Sequence, residues 1–92
     1  METQGMLASR FKTLRLLAGY KRVTLARRAG VSESSLKRFE TSGEISLKNL
    51  LRLSHGLNRL QDFSSLFEPL EAETLAELKA GSERHIPKRG KF

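Results

Sequence analysis

The sequence of 92 residues contains no cysteine, which excludes disulfide bonds and cysteine-ligated zinc. It also has no long apolar run, and residues 1–6 show no basic region followed by an apolar stretch, so we expect neither a membrane span nor a secretion signal. The two histidines, His55 and His85, lie far apart in a sequence without a carboxylate cluster around either. We therefore expect a soluble cytoplasmic protein that is not an enzyme and that holds no metal or cofactor.

Positive charge is present in excess, with a formal net charge of +7. Residues 1–67 contain 12 Lys or Arg and 5 Asp or Glu, whereas residues 68–92 contain 5 of each kind. A basic surface attracts nucleic acid phosphates or anionic lipids by the same long-range field, so charge alone does not choose between them. A core of this size is small, and a second copy of the chain would cover apolar surface that it leaves open.

Apolar residues recur at helical spacing in five segments, which predicts an all-α fold. The segments are 7–18, 22–29, 33–40, 47–57 and 60–67. Start and stop signals separate them, because Gly19 and Gly30 suit helix ends, while Ser32 and Ser46 suit N-caps. The residues expected to face inward in the first and fourth segments are Leu7, Phe11, Leu14, Leu17, Ala18, Leu47, Leu50, Leu51, Leu53 and Leu57.

Pro69 marks the boundary between a domain of residues 6–67 and a tail of residues 68–92. Leu70, Leu75 and Leu78 predict weak amphipathic structure at most, and we expect residues 81–92 to be disordered. The basic end of this tail is compatible with a nucleic-acid arm, a segment for a protein partner or a solubilising extension, and its cations are Arg84, Lys88, Arg89 and Lys91.

The motif that bears most directly on function spans residues 25–40. Ala26 is small enough for two helices to cross closely, and Gly30 supplies a sharp turn between them. Leu36 and Phe39 lie inward on the second helix, so the positions three and four residues apart on its opposite side share one face. That face is wholly polar and consists of Glu33, Ser34, Lys37 and Arg38.

Residues 6–67, and the 25–40 motif above all, resemble the Cro/C1-type helix-turn-helix domain, also called the XRE family of bacterial and phage regulators. The resemblance implies five helices, a third helix in the major groove of double-stranded DNA, and a homodimer on a two-fold operator. It also implies a buried structural ion pair between Arg15 and Glu40. The chain departs from the family at Lys21 and Arg22, where a capping Ser, Thr or Asn followed by Gln is usual, so we expect a weaker cap and a stronger phosphate contact.

In this interpretation the four polar residues of the third helix read base edges. Lys37 and Arg38 can donate to guanine, Ser34 suits either base type, and Glu33 can accept from cytosine. The competing interpretation is an ordinary solvated face. The residues expected to bind phosphates are Lys21, Arg22, Ser32, Ser46, Lys48 and Asn49. For Arg27 and Arg28 the sequence leaves both a phosphate contact and ordinary solvation open.

Three functions remain open on the sequence. The first is a transcriptional repressor similar to the HipB-type antitoxins, which would also bind a HipA-like kinase toxin. The second is a phage-type or stand-alone repressor without such a partner, and the third is a protein-interaction adaptor on the same scaffold. The apolar residues of the fifth segment are core residues or a dimer seam, and they are Leu60, Phe63, Leu66 and Phe67.

Overall fold

A computed structural model describes residues 2–70. The chain forms four α-helices, α1 (Glu2–Leu17), α2 (Arg22–Ala29), α3 (Glu33–Ser42) and α4 (Leu47–Gly56), followed by one 3-10 turn over Leu60–Phe63. No strand occurs in this part of the chain, and none of its helices is both long and apolar enough to cross a membrane. The all-α prediction is confirmed, but the number of α-helices is four rather than five.

Serine caps and left-handed glycines set the helix ends. The Ser32 side chain accepts a hydrogen bond from the backbone N–H of Ser35 at 3.1 Å, and Ser46 accepts one from Asn49 at 3.1 Å. These bonds satisfy N–H groups that have no partner inside the helix. Both caps were predicted from the sequence, and so were the bounds of α2.

The core lies between α3, which packs against α1 and α2, and α4, which packs against α2. Leu25, Leu36 and Leu53 are fully buried, and the rings of Phe11 and Phe39 meet edge to face at 5.5 Å between centroids. This arrangement joins α1 to α3 directly, because each helix contributes one of the two rings.

Four residues predicted to face inward are exposed, namely Leu7, Leu17, Ala18 and Leu47. Leu17 is 78% exposed and Leu47 is 67% exposed. Each lies six residues from a buried residue of its own helix, Phe11 in α1 and Leu53 in α4. Six residues amount to roughly 240° around a helix of 3.6 residues per turn, so these side chains point away from the core.

The helix predicted over residues 60–67 does not form, and a 3-10 turn over Leu60–Phe63 takes its place. Beyond it, backbone bonds join residues three apart, from Ser64 N–H to the Gln61 carbonyl at 3.0 Å and from Leu66 N–H to the Phe63 carbonyl at 3.2 Å. The Ser64 hydroxyl also donates to the Gln61 carbonyl at 2.8 Å, and Pro69 disfavours helical backbone just before it. Most of the predicted tail, residues 71–92, lies outside the described residues.

Candidate nucleic-acid interface

The connection between α2 and α3 is a tight turn built on Gly30, which has a left-handed φ of 72°. The backbone N–H of Val31 donates to the Ala26 carbonyl at 3.0 Å, and that of Gly30 donates to Arg27 at 3.3 Å. This pair of bonds is a Schellman motif, which closes a helix in a defined direction. Val31 is buried beneath the turn, and Ser32 starts α3 immediately afterwards. The angle between the two helices is therefore held by backbone bonds and by packing.

The outer face of α3 is polar and exposed. Leu36 and Phe39 are buried against the core, while the four predicted base-reading residues are all exposed on the opposite side. Those four are Glu33, Ser34, Lys37 and Arg38. The hydroxyls of Thr41 and Ser42 bond back to the carbonyls of Lys37 at 2.8 Å and Arg38 at 2.7 Å. The four predicted base-reading residues lie on the first two turns of α3.

A shallow recess of about 250 Å³ separates α3 from the start of α4. It brings Arg38, from the predicted base-reading set, together with Ser46 and Asn49, from the predicted phosphate-binding set. Glu44 also lines it and was not singled out from the sequence. Its position two residues before a helix cap is the signal that could have placed it at this edge. The recess is therefore lined by hydrogen-bond donors and by one carboxylate, that of Glu44.

The other predicted phosphate-binding residues lie at the starts of α2, α3 and α4. Lys21 and Lys48 are exposed, and Lys21 gives α2 no side-chain cap, as its departure from the family predicts. The Ser32 hydroxyl donates to the Ser35 hydroxyl at 2.8 Å while it caps α3. Its side chain is therefore engaged locally, and a phosphate contact by Ser32 stays a prediction.

Arg27 and Arg28 differ in their surroundings, although they are neighbours on α2. Arg28 donates from Nε to the Gly56 carbonyl at 3.0 Å, and its guanidinium lies 5.7 Å from the centre of the Tyr20 ring. These contacts tie α2 to the end of α4. Arg27 is exposed and makes no side-chain hydrogen bond within the described part of the chain. Arg27 is thus free to meet solvent or a phosphate, whereas Nε of the exposed Arg28 is bonded within the fold.

Beneath α3 lies an ion cluster centred on Glu40, whose side chain is fully buried. Its Oε2 accepts from Arg15 Nε at 2.6 Å. Its Oε1 accepts from Arg15 Nη2 at 2.9 Å and from Arg22 Nε at 2.9 Å. The pair of Arg15 and Glu40 that the family resemblance implies is present, and the participation of Arg22 was not expected. Burial acts to raise the pKa of Glu40, but the hydrogen bonds and charges of the two arginines outweigh it and hold the pKa below the usual 4.5.

An apolar groove lies between α1, α4 and the 3-10 turn. Phe63 and Leu66 line it together with Leu7 and Leu14, and its volume is about 290 Å³. Leu60 and Phe67, the other two predicted seam residues, do not line it and are 42% and 97% exposed. Leu60, Leu66 and Phe67 are exposed, so the interpretation that they belong to the core is wrong for these three, whereas Phe63 is half-buried.

Among residues 2–70, no group of three or more His, Cys, Asp or Glu side chains is placed to hold a metal ion. The two short helices, their fixed turn and the exposed polar face of α3 define a helix-turn-helix DNA-binding protein. A family model described as helix-turn-helix, of the Cro/C1 type, matches residues 11–61. This match covers more than half of the chain, which therefore belongs to the XRE family of DNA-binding regulators. Comparisons with curated proteins and with solved structures found no match.

Proposed function

We propose that the protein is a sequence-specific transcriptional repressor that places α3 in the major groove of its operator. The observation that carries the proposal is the exposed polar face of α3 on a turn whose angle is fixed. Lys37 and Arg38 donate to guanine O6 and N7, Ser34 contacts either base type, and Glu33 accepts from cytosine N4. Glu33 also repels phosphate, so it favours a positioned contact over indiscriminate binding.

Phosphate contacts orient this helix from both sides. Lys21 and Arg22 lie at the start of α2, while Ser46, Lys48 and Asn49 lie at the start of α4, where backbone N–H groups add to the side chains. Ser32 completes the set at the start of α3. The recess between α3 and α4 supports this arrangement, because it places Arg38 beside Ser46 and Asn49.

The proposal is tested by selecting duplexes from a randomised pool with the wild-type protein and measuring affinity for the selected duplex. Replacement of both Lys37 and Arg38 by Ala is expected to abolish preference for the selected sequence. The matched control replaces Lys12 and Arg52, two exposed cations that line neither the recess beside α3 nor the apolar groove, and is expected to retain that preference. If the wild-type protein enriches no sequence, the proposed function is wrong.

The same variant separates repression from the adaptor function. An adaptor on this scaffold would work in the cell without the reading face of α3. We expect instead that the variant without Lys37 and Arg38 loses repression of a reporter driven by the selected operator. Retained cellular function in this variant would favour the adaptor.

We further propose that the repressor is a homodimer that buries the apolar groove beside α1. Leu66 is 51% exposed and Leu7 is 43% exposed, and a two-fold contact would cover both on each copy. Sedimentation should show a dimer that Leu66→Glu dissociates. The control Leu17→Glu changes a more exposed leucine outside the groove and should leave the dimer intact. A wild-type monomer at all accessible concentrations would contradict this proposal.

The narrower function is the antitoxin and autorepressor of a HipA-like kinase toxin. Its support is the family resemblance together with the apolar surface that remains available to a protein partner. The expected result is co-purification of the native protein with a kinase-like protein. Absence of such a partner at native expression would instead favour the phage-type or stand-alone repressor.

A further inference from the structure

We propose that Glu40 positions Arg22 to bind a phosphate of the DNA backbone. The phosphate contact is then held rigidly relative to α3, the helix that reads bases. The inference rests on the proposed function, since it assigns one phosphate contact of that interface. Glu40 belongs to α3 and Arg22 begins α2, so their hydrogen bond connects the phosphate-binding arginine directly to the helix that reads bases.

The hydrogen bonds of the cluster divide its two arginines into different roles. Arg15 is committed, because Nε and Nη2 donate to Glu40 and Nη1 donates to the Tyr20 carbonyl at 2.9 Å. Its side chain is only 6% exposed. Arg22 uses Nε alone, and within residues 2–70 its two Nη groups have no acceptor. Arg15 therefore holds Glu40 in place, while Arg22 keeps donors for another ligand.

The free donors of Arg22 reach solvent. Its side chain is 29% exposed, and no buried side-chain nitrogen or oxygen of the described residues lacks a hydrogen-bond partner. The unpartnered Nη atoms must therefore touch solvent. With Nε held by Glu40, the outer edge of the guanidinium has a fixed direction instead of the many that a free arginine would sample.

The charge of the cluster favours an anion at this edge. Two guanidinium groups surround one carboxylate, so the cluster carries one uncompensated positive charge. Arg22 is the more exposed of the two arginines, so an external anion can reach this charge through Arg22. A planar guanidinium edge with two donors matches the geometry of a phosphate, whereas lysine offers only a point charge. A DNA phosphodiester beside α3 is therefore the ligand that this geometry fits.

The test compares Arg22→Lys with Arg22→Gln on two probes, the duplex selected by the wild-type protein and an unselected duplex from the same pool. Lysine keeps the charge but cannot bond Glu40 and a phosphate with separate edges. We expect Arg22→Lys to lose about tenfold in affinity for the selected duplex and less than twofold for the unselected one. The reason is that Glu40 fixes the free edge of Arg22 relative to α3, so this edge meets a phosphate only where α3 is seated on its bases, unlike an exposed cation such as Lys48. Arg22→Gln should also reduce the slope of log affinity against log salt by about 0.9, the value for one phosphate.

Arg27 supplies the matched controls, because it is an exposed arginine of the same helix without a side-chain bond. Arg27→Lys should leave the ratio of the two affinities unchanged. If Arg22→Lys keeps the wild-type ratio, or Arg22→Gln keeps the wild-type salt slope, the inference is overturned while the proposed function stands. If the wild-type protein prefers no duplex, the proposed function itself fails.

Discussion

Glu40 shows how one residue serves both stability and function. It is buried with two arginines, and both of its oxygens accept hydrogen bonds. A buried charge without a partner is costly, so each member of such a cluster depends on the others. The cluster thus fixes α1, α2 and α3 around one carboxylate. The orientation of α3, the helix proposed to read bases, is therefore held rigidly.

Glu40→Gln should lower the free energy of unfolding by about 3–5 kcal/mol, because it leaves Arg15 and Arg22 without a counter-charge. The measurement is urea denaturation at neutral pH. Glu44→Gln is the matched control, since Glu44 is an exposed acid, and it should change stability by less than about 0.5 kcal/mol. Equal stabilities of the two variants would contradict the role of the cluster.

Acid should weaken the same cluster. The pKa of Glu40 is lower in the folded protein than its usual 4.5, so the ionised group stabilises the fold above that value. This contribution is lost as the pH falls below it and through the folded-state pKa. The difference in unfolding free energy between wild type and Glu40→Gln should therefore narrow as the pH is lowered below 4.5. A constant difference across that range would rule out this linkage.

Arg38 and Lys48 should affect DNA binding differently. Arg38→Ala is expected to cost about 1–3 kcal/mol on the selected duplex, with the loss confined to one base pair of each half-site. Lys48→Ala should weaken binding to all sequences alike, because a phosphate contact carries no base information. Affinities for single-base variants of the duplex distinguish the two patterns. A uniform loss of affinity with Arg38→Ala would show that Arg38 is not one of the base-reading residues.

Residue roles could be predicted from the sequence where they depend on local spacing. The polar face of α3 followed from Leu36 and Phe39, which mark its buried side. The contact of Arg22 with Glu40 joins residues 18 positions apart, and the sequence predicted only a phosphate contact for Arg22. No local pattern reports such a bond, because it depends on how two helices cross.

At the scale of elements, the contact between α1 and the end of α3 was the least expected feature. The sequence predicts a helix from residue 7, whereas α1 begins at Glu2. Gln4 Nε2 donates to the Gly43 carbonyl at 3.3 Å, so the first turn of α1 packs against the end of α3. Residues 2–5 have no apolar periodicity, and their helical state depends on this tertiary contact.

Gly43→Ala should therefore destabilise the protein more than Gly30→Ala. Both glycines have positive φ, 80° and 72°, and the added methyl strains the backbone at each by about 1 kcal/mol. At Gly43 a Cβ would also lie 2.9 Å from the Gln4 Cβ and 3.1 Å from its carbonyl carbon, whereas at Gly30 nothing lies within 4 Å. Thermal unfolding measures the loss of stability in each variant. Equal losses would mean that the first turn of α1 can shift away from the added methyl group without cost, which would contradict this prediction.

Helix ends could be predicted where a cap was local, as at Ser32, Ser46 and Gly30. The conformation of residues 60–67 could not be predicted, because their apolar spacing fits an α-helix while their backbone forms hydrogen bonds between residues three apart. The structure favours tight turns here, where Ser64 competes for a backbone carbonyl and Pro69 follows closely.

At the scale of the whole molecule, the recess beside α3 and the apolar groove are separate surfaces, because no residue lines both. Charge by itself left DNA and anionic lipid open, and the helix-turn-helix geometry with the family match resolves this in favour of DNA. The operator sequence is not encoded in any single pattern of the chain. It depends on which bases the exposed side chains of α3 reach.

The central claim, that α3 lies in the major groove, is tested most directly by methylation interference on the selected duplex. Methyl groups at guanine N7 occupy the major groove, while those at adenine N3 occupy the minor groove. We predict that guanine N7 methylation within each half-site blocks binding and that adenine N3 methylation at the same half-sites does not. Binding that is blocked only by adenine N3 methylation, or by neither modification, would contradict the account.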